Sequence, residues 1–155
     1  MIELREMATS EFDAYRVIFI GEYAEDLEAN YGYTVDEAKA AAEADIAEAF
    51  PNGPRHSTNL LNCIDLINGK SRTMVGYVWY RLNGREPAFL SDFYIKPEYR
   101  GKGLGGKVLA VLEMQLKKLG IQELRLRVAG DNPRAKDLYA KVGFRPTGTN
   151  MAKKL

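Results

Sequence analysis

Asp92-Phe93-Tyr94-Ile95-Lys96-Pro97-Glu98-Tyr99-Arg100-Gly101-Lys102-Gly103-Leu104-Gly105-Gly106-Lys107-Val108 joins a strand-like run to a helix-like run, and its glycines decide how the rest of the chain is read. Glycine lets the backbone bend and approach a ligand without Cβ clashes, and the free N–H groups at the start of a helix attract an anion. The stretch therefore reads as a phosphate cradle. Three motifs overlap on it. Gly101, Gly103 and Gly106 fit Gly-x-Gly-x-x-Gly, but a dinucleotide fold wants that loop after its first strand and an acid about 20 residues on, and here the loop comes late with Asp131 as the nearest suitable acid. Gly101 to Lys107 fits the spacing of a nucleotide P-loop, yet Val108 stands where a Ser or Thr would hold Mg²⁺. The third reading starts at Arg100 and runs Arg-x-x-Gly-x-Gly through Gly103 and Gly105.

That third pattern, with Asp92–Tyr99 before it, resembles the acetyl-CoA signature of the Gcn5-related N-acetyltransferase (GNAT) family. Asn132-Pro133-Arg134-Ala135-Lys136-Asp137-Leu138-Tyr139-Ala140-Lys141-Val142-Gly143-Phe144 is similar to the family's second signature, in the expected order. Glu22-Tyr23-Ala24-Glu25-Asp26-Leu27 with Gly76-Tyr77-Val78-Trp79 further resembles an uncharacterised bacterial subgroup. The resemblance is strong from about Phe89 to Phe144 and covers the rest in outline.

The order of elements agrees with it. Ile2 and Leu4 alternate with charges, which predicts a short strand, and Ser10 precedes a helical spacing of Phe12, Tyr15, Phe19, Tyr23 and Leu27 that ends near Gly32. Thr34-Val35-Asp36-Glu37 is a capping box for a second helix ending at Phe50-Pro51. Leu60–Ile67, Thr73–Arg81 and Ala88–Ile95 read as strands joined by Asn68-Gly69 and Asn83-Gly84, the preferred two-residue hairpin turns, and so as an antiparallel meander. After the glycine loop comes a helix with Leu109, Leu112, Leu116 and Leu119 on one face, stopped by Gly120. A strand Leu124–Val128, a helix Pro133–Val142 and a final strand pair toward Leu155 complete the reading. The fold class expected is α/β, a mixed and largely antiparallel sheet with helices on both faces. By the resemblance, the strand before the loop and the strand after the long helix splay apart to admit an acyl-CoA.

Composition points to one domain over 1–155: 155 residues at 46% hydrophobic suffice for one sizeable core. A net charge of +1, from 22 basic and 21 acidic residues, gives no support for nucleic-acid or membrane-surface binding. Met1–Glu6 lacks the basic start and apolar stretch of a signal peptide and no run approaches a transmembrane length, so the cytoplasm is the expected location. Cys63 is the only cysteine and reads as a buried strand thiol, and His56 is the only histidine, which leaves little for a metal site or a His-based pair.

The resemblance implies roles. The N–H groups of Gly101, Lys102, Gly103, Leu104, Gly105 and Gly106 would take the pyrophosphate of coenzyme A, with Arg100 adding charge. Lys102 and Lys107 would serve there too, or simply solvate a helix start. Backbone around Phe93, Tyr94 and Ile95 would pair with the pantetheine arm, and the N–H near Phe93 would polarise the thioester carbonyl. Tyr139 falls at the general-acid position, the bland reading being an amphipathic core tyrosine. Asn132 would meet the cofactor, cap the helix at Pro133, or both. Asp92 is a candidate base if a bulge re-aims it, and otherwise structural; Ser91 would order a water. Glu22, Tyr23, Asp26 and Tyr31 would border the acceptor cleft and suit a cationic amine, or form an ordinary solvated helix face. The activity implied is transfer of an acetyl group from acetyl-CoA to a primary amine, on a small molecule or a peptide, directly in a ternary complex without metal. A homodimer is compatible with this reading. The alternative is a non-catalytic acyl-CoA-binding or sensing domain.

Overall fold

The computed structural model describes residues 1–155, and its sheet runs β1 Ile2–Glu6, β2 Asn59–Asn68, β3 Ser71–Arg81, β4 Ala88–Ile95 and β5 Leu124–Leu126 in that spatial order. The first three pairings are antiparallel and β4–β5 is parallel. Four helices cover the sheet: α1 Phe12–Tyr31, α2 Val35–Ala49, α3 Leu104–Lys118 and α4 Pro133–Lys141.

Strand alternation sends side chains to two cores. On one face Ile64, Val78 and Leu90 meet Val108, Leu109 and Leu112 of α3. On the other, Leu61, Cys63, Tyr77 and Trp79 meet Tyr15 and Phe19 of α1 and Ile46 of α2. The face of α2 turned inward carries Ala38 and Ala42, both fully buried, so its axis can lie close to α1. Thr34 caps α2 as its sequence implies: Thr34 Oγ1 accepts from the Glu37 N–H at 3.2 Å while Glu37 Oε2 accepts from the Thr34 N–H at 3.2 Å. No helix is long and apolar enough to cross a membrane.

Several expectations need correction. Asn68 pairs with Ser71, so the first hairpin turn is Gly69-Lys70, with Gly69 at φ +61° in the first loop position as a type II′ turn requires. Asn83-Gly84 lies inside a six-residue connection, where Asn83 and Glu86 form a turn of their own (Glu86 N–H to Asn83 O, 3.1 Å); Pro87 has no N–H to offer a ladder. Ser10 sits within a 3-10 turn ahead of α1. Leu119 is 58% exposed, because α3 ends before it and the chain turns at Gly120, φ +80°. β5 stops at Leu126, two residues early, and no strand forms after α4. That tail carries Pro146 and Gly148 and is exposed from Arg145 onward, so no apolar face anchors it to the sheet.

Candidate active site

β4 and β5 pair only over Ala88–Leu124, Phe89–Arg125 and Leu90–Leu126. Beyond Leu90, β4 runs on to Ile95 with no strand on that edge, so the two strands part there. A cleft of about 700 Å³ lies at the parting, walled by α1, α2, the sheet and α4.

A β-bulge sets what β4 presents to it. Trp79 pairs with Asp92 and Tyr80 with Leu90, leaving Ser91 as the extra residue. Leu90, Phe93 and Ile95 all turn to the α3 face, whereas Asp92 turns to the α1 face, and its Oδ2 accepts from the Tyr15 hydroxyl at 2.8 Å. Asp92, Ser91 and Phe93 all line the cleft. Burial pushes the Asp92 carboxyl up to about 6 and the Glu22 charge adds to this, against the hydrogen bonds from Tyr15 and the Phe93 N–H. A carboxyl so placed takes a proton more readily than an exposed one.

Tyr139 enters the cleft from α4, its ring edge-on to Phe144 at 5.6 Å. Burial first, and the Asp92 charge second, push its phenol up to about 12, so it stays protonated throughout the neutral range. Asn132 also lines the cleft, and its Oδ1 accepts from the Ala135 N–H at 3.0 Å, capping α4. The geometry thus brings together a carboxylate with a raised affinity for protons and a phenol that retains its own.

The glycine loop lies between β4 and α3. Gly101 and Gly103 have φ of +73° and +74°, which side-chain-bearing residues rarely adopt. A Cβ built on Gly103 meets nothing within 4 Å. The backbone N–H groups from Gly101 through Gly106 find no acceptor within the chain. These are the features of a cradle for an anion, and a pyrophosphate fits the donor set. Arg100 braces the loop: its Nε donates to Ile95 O at 2.7 Å and its guanidinium stacks on Tyr94 at 5.2 Å. Lys102 lies 5.5 Å over the Tyr99 ring. Gly105 serves packing, since a Cβ there would meet Leu138 Cδ2 of α4 at 2.8 Å. Arg134, whose guanidinium reaches within 3.6 Å of a Cβ built on Gly101, is a further cation at the cradle that the loop's own sequence did not reveal.

Of the four α1 residues expected at the acceptor side, Glu22, Tyr23 and Asp26 line the cleft and Tyr31 does not. Asp26 is engaged, accepting from Arg127 at 3.0 Å and from Asn30 at 2.7 Å, while Tyr31 takes the Arg127 guanidinium over its ring at 5.4 Å. The chain itself neutralises the Asp26 charge. Asp45 and Glu48 of α2, with Trp79 and Arg81 of β3, complete that wall. These four were missed because nothing local marks them; only the packing of α2 across the sheet brings them to the cleft. His56 is there too, its Nδ1 accepting from the Thr58 and Asn59 N–H groups at 3.1 Å each, which places its proton on Nε2.

With this geometry in view, comparison with known proteins is decisive for the family. The acetyltransferase (GNAT) family model matches residues 20–144. The chain is 31% identical to the uncharacterised N-acetyltransferase YycN of Bacillus subtilis, covering 99% of each sequence. The crystal structure of YycN superposes on it with a TM-score of 0.89 over 100% of this chain and 99% of that one. A bovine (Bos taurus) thialysine N-epsilon-acetyltransferase is 35% identical, over 74% of this chain and 71% of its own. A PaiA N-acetyltransferase from Thermoplasma acidophilum, solved with coenzyme A, shares the fold at 22% identity, 97% and 93% coverage and a TM-score of 0.67. The chain belongs to the acetyltransferase (GNAT) family and is an N-acetyltransferase.

Proposed function

We propose that this family member works as one N-acetyltransferase domain that moves an acetyl group from acetyl-CoA directly to a primary amine held in the cleft, with Asp92 as proton acceptor and Tyr139 as proton donor. The observation that carries this reading is that both side chains line one cleft where β4 and β5 part, with opposite proton affinities.

The N–H groups of Gly101–Gly106 would hold the pyrophosphate, with Arg100, Lys102 and Arg134 adding charge, and the free edge of β4 from Phe93 to Ile95 would take the pantetheine amides. Bound there, acetyl-CoA supplies an activated thioester carbonyl. An alkyl ammonium, pKa about 10.4 in water, must lose a proton before it can attack. Asp92, raised to about 6, narrows that gap by about two units, and the cleft narrows it further by desolvating the ammonium. The amine nitrogen bonds to the acetyl carbon as the carbon–sulfur bond breaks. Tyr139 Oη gives its proton to the departing sulfur and recovers one from solvent, so the products are an N-acetyl amide, a free thiol and one proton. Tyr139 can do this at any working pH because burial keeps its phenol protonated.

Glu22, Asp45 and Glu48 give the acceptor side negative potential, which suits a cationic amine. The N-epsilon specificity named for the bovine relative supports an amine at the end of a flexible chain, with thialysine as the first probe. The test is thiol release from acetyl-CoA against thialysine, polyamines, amino acids, aminoglycosides and peptides. Amine-dependent release supports the reading; tight acetyl-CoA binding with no release from any acceptor counts against it.

A further inference from the structure

We infer that Tyr15 is a positioning residue for the transfer: the hydroxyl it donates to Asp92 Oδ2 at 2.8 Å holds that carboxylate ionised and fixes its direction at the wall of the cleft. This rests on the proposed role of Asp92 as proton acceptor.

Tyr15 is fully buried in α1, in a core whose other large rings include Phe19, Phe50 and Trp79. Its ring is fixed edge-on to Tyr77 at 5.0 Å and tilted on Phe19 at 6.2 Å, so the hydroxyl cannot swing to solvent. A phenylalanine would fill the same space. A buried hydroxyl costs stability unless it is paired, and the partner of this one is Asp92. The bond spans 77 positions in sequence, from the first helix to the bulge at Ser91, so it joins the acceptor wall to the strand edge where β5 departs.

The chemistry needs such a donor. Burial works to protonate Asp92, and Glu22 of α1 adds a like charge. Of the other titratable side chains nearby, Tyr77 of β3, edge-on to Tyr15, and Tyr139 of α4 are phenols that burial holds above their usual range and so leaves neutral at working pH. The side-chain bond favouring the charged form comes from Tyr15, beside the backbone N–H of Phe93. Tyr15 does not itself exchange protons in the reaction, because burial, together with the Asp92 charge, keeps its phenol protonated.

Removing the hydroxyl therefore has a signed outcome. In Tyr15→Phe, Asp92 should protonate at higher pH, and the acid limb of the kcat/KM profile should rise with it by about one pH unit. Activity should fall about fivefold near pH 6, approach a tenfold loss at about pH 5 and below, and return toward the wild-type plateau in mild alkali. A role in packing alone would lower activity equally at every pH.

The test is a titration of the Asp92 carboxyl by carbon-13 NMR in wild type and Tyr15→Phe, its resonance assigned with Asp92→Asn, alongside pH profiles with acetyl-CoA and thialysine. Parallel upward movement of the resonance and of the acid limb is the result expected. An unmoved Asp92 resonance overturns the inference about Tyr15 whatever the activity does. A resonance that moves while the acid limb stays overturns Asp92 as proton acceptor, and with it any part for Tyr15 in catalysis. Should Tyr15→Phe fail to fold, the wild-type protein still decides: the Tyr15 ring carbon bearing the hydroxyl should step at the pH where Asp92 titrates, and a flat response there refutes the coupling.

Discussion

In the proposed mechanism Tyr139 and Asp92 would divide the proton traffic, because the same low-dielectric cleft pushes a carboxyl and a phenol in the same direction with opposite consequences: the acid becomes a better acceptor, and the phenol is still protonated when a thiolate needs its proton. Replacing Tyr139 with Phe keeps the ring against Phe144 and removes one oxygen, so kcat should fall about 10²- to 10⁴-fold while acetyl-CoA affinity by calorimetry changes little. Asp92→Asn should abolish the acid limb and also stabilise the protein. The sign follows from the raised carboxyl. Its folded value, about 6, lies above its unfolded one, so the folded state binds the proton more readily and pays for the charge above pH 6. The variant should gain up to about 3 kcal/mol in urea titration at pH 8, and the gain should vanish below about pH 4. Little of this was legible from Asp92 alone. Strict alternation from Leu90 would have aimed it at the α3 face, and only the bulge at Ser91 turns it to the α1 face; bulges leave no clear local signature in Phe89-Leu90-Ser91-Asp92.

The splayed strand pair depends on how closely β3, β4 and the α3–α4 layer seat against one another. Gly76 shows this most sharply: a Cβ there would collide with the Tyr94 carbonyl, which belongs to backbone and cannot step aside. Gly76→Ala should cost about 2 kcal/mol or more by denaturant melt, and should weaken acetyl-CoA binding because it displaces the free edge of β4. Helices were read well from sequence where their ends carry chemistry, as at Thr34-Val35-Asp36-Glu37 and Gly32, since caps are local. Turns were read less well. Asn68-Gly69 gave the right hairpin one residue out of register because Gly69 takes the first loop position, and the tail after α4 had strand-like residues but no face to bury. The glycine loop was legible because its four glycines fall within one short stretch, 101 to 106. The acceptor wall was not, because Asp45, Glu48 and Trp79 meet Glu22 only through tertiary packing.

Across the whole molecule, two buried acids on the α1 side of the sheet respond oppositely to pH. Asp65 of β2 is 1% exposed; burial opposes its ionisation, but Arg5 and Arg72, both on Oδ2 at 2.8 and 2.6 Å, outweigh that and hold it below the usual carboxylate range. Arg5 likewise lowers Glu11, which accepts from the Cys63 thiol at 2.9 Å. Such depressed groups lend stability above their unfolded values, and that stability is lost as pH falls through the folded ones. Asp92 contributes the reverse between about 6 and 4. Melting temperature should therefore peak at about pH 4 in wild type, where the depressed acids are gaining and Asp92 has only begun to lose, and Arg5→Ala should lower it throughout the neutral range, by about 2–4 kcal/mol of stability, because Asp65 loses one of its two partners. Ligands probe the same whole: acetyl-CoA should raise the melting temperature where NADH and ATP-Mg²⁺ at equal concentration do little, and Gly103→Val should erase that rise, having both a strained φ and bulk in the cradle. The most direct measurement is the initial rate of thiol release from acetyl-CoA with and without thialysine, with the products identified by mass spectrometry. Amine-dependent thiol, matched one for one by an N-acetyl amide, is the expected result. Thiol appearing at the same rate without amine, for thialysine and every other acceptor offered, while acetyl-CoA still raises the melting temperature, would contradict it.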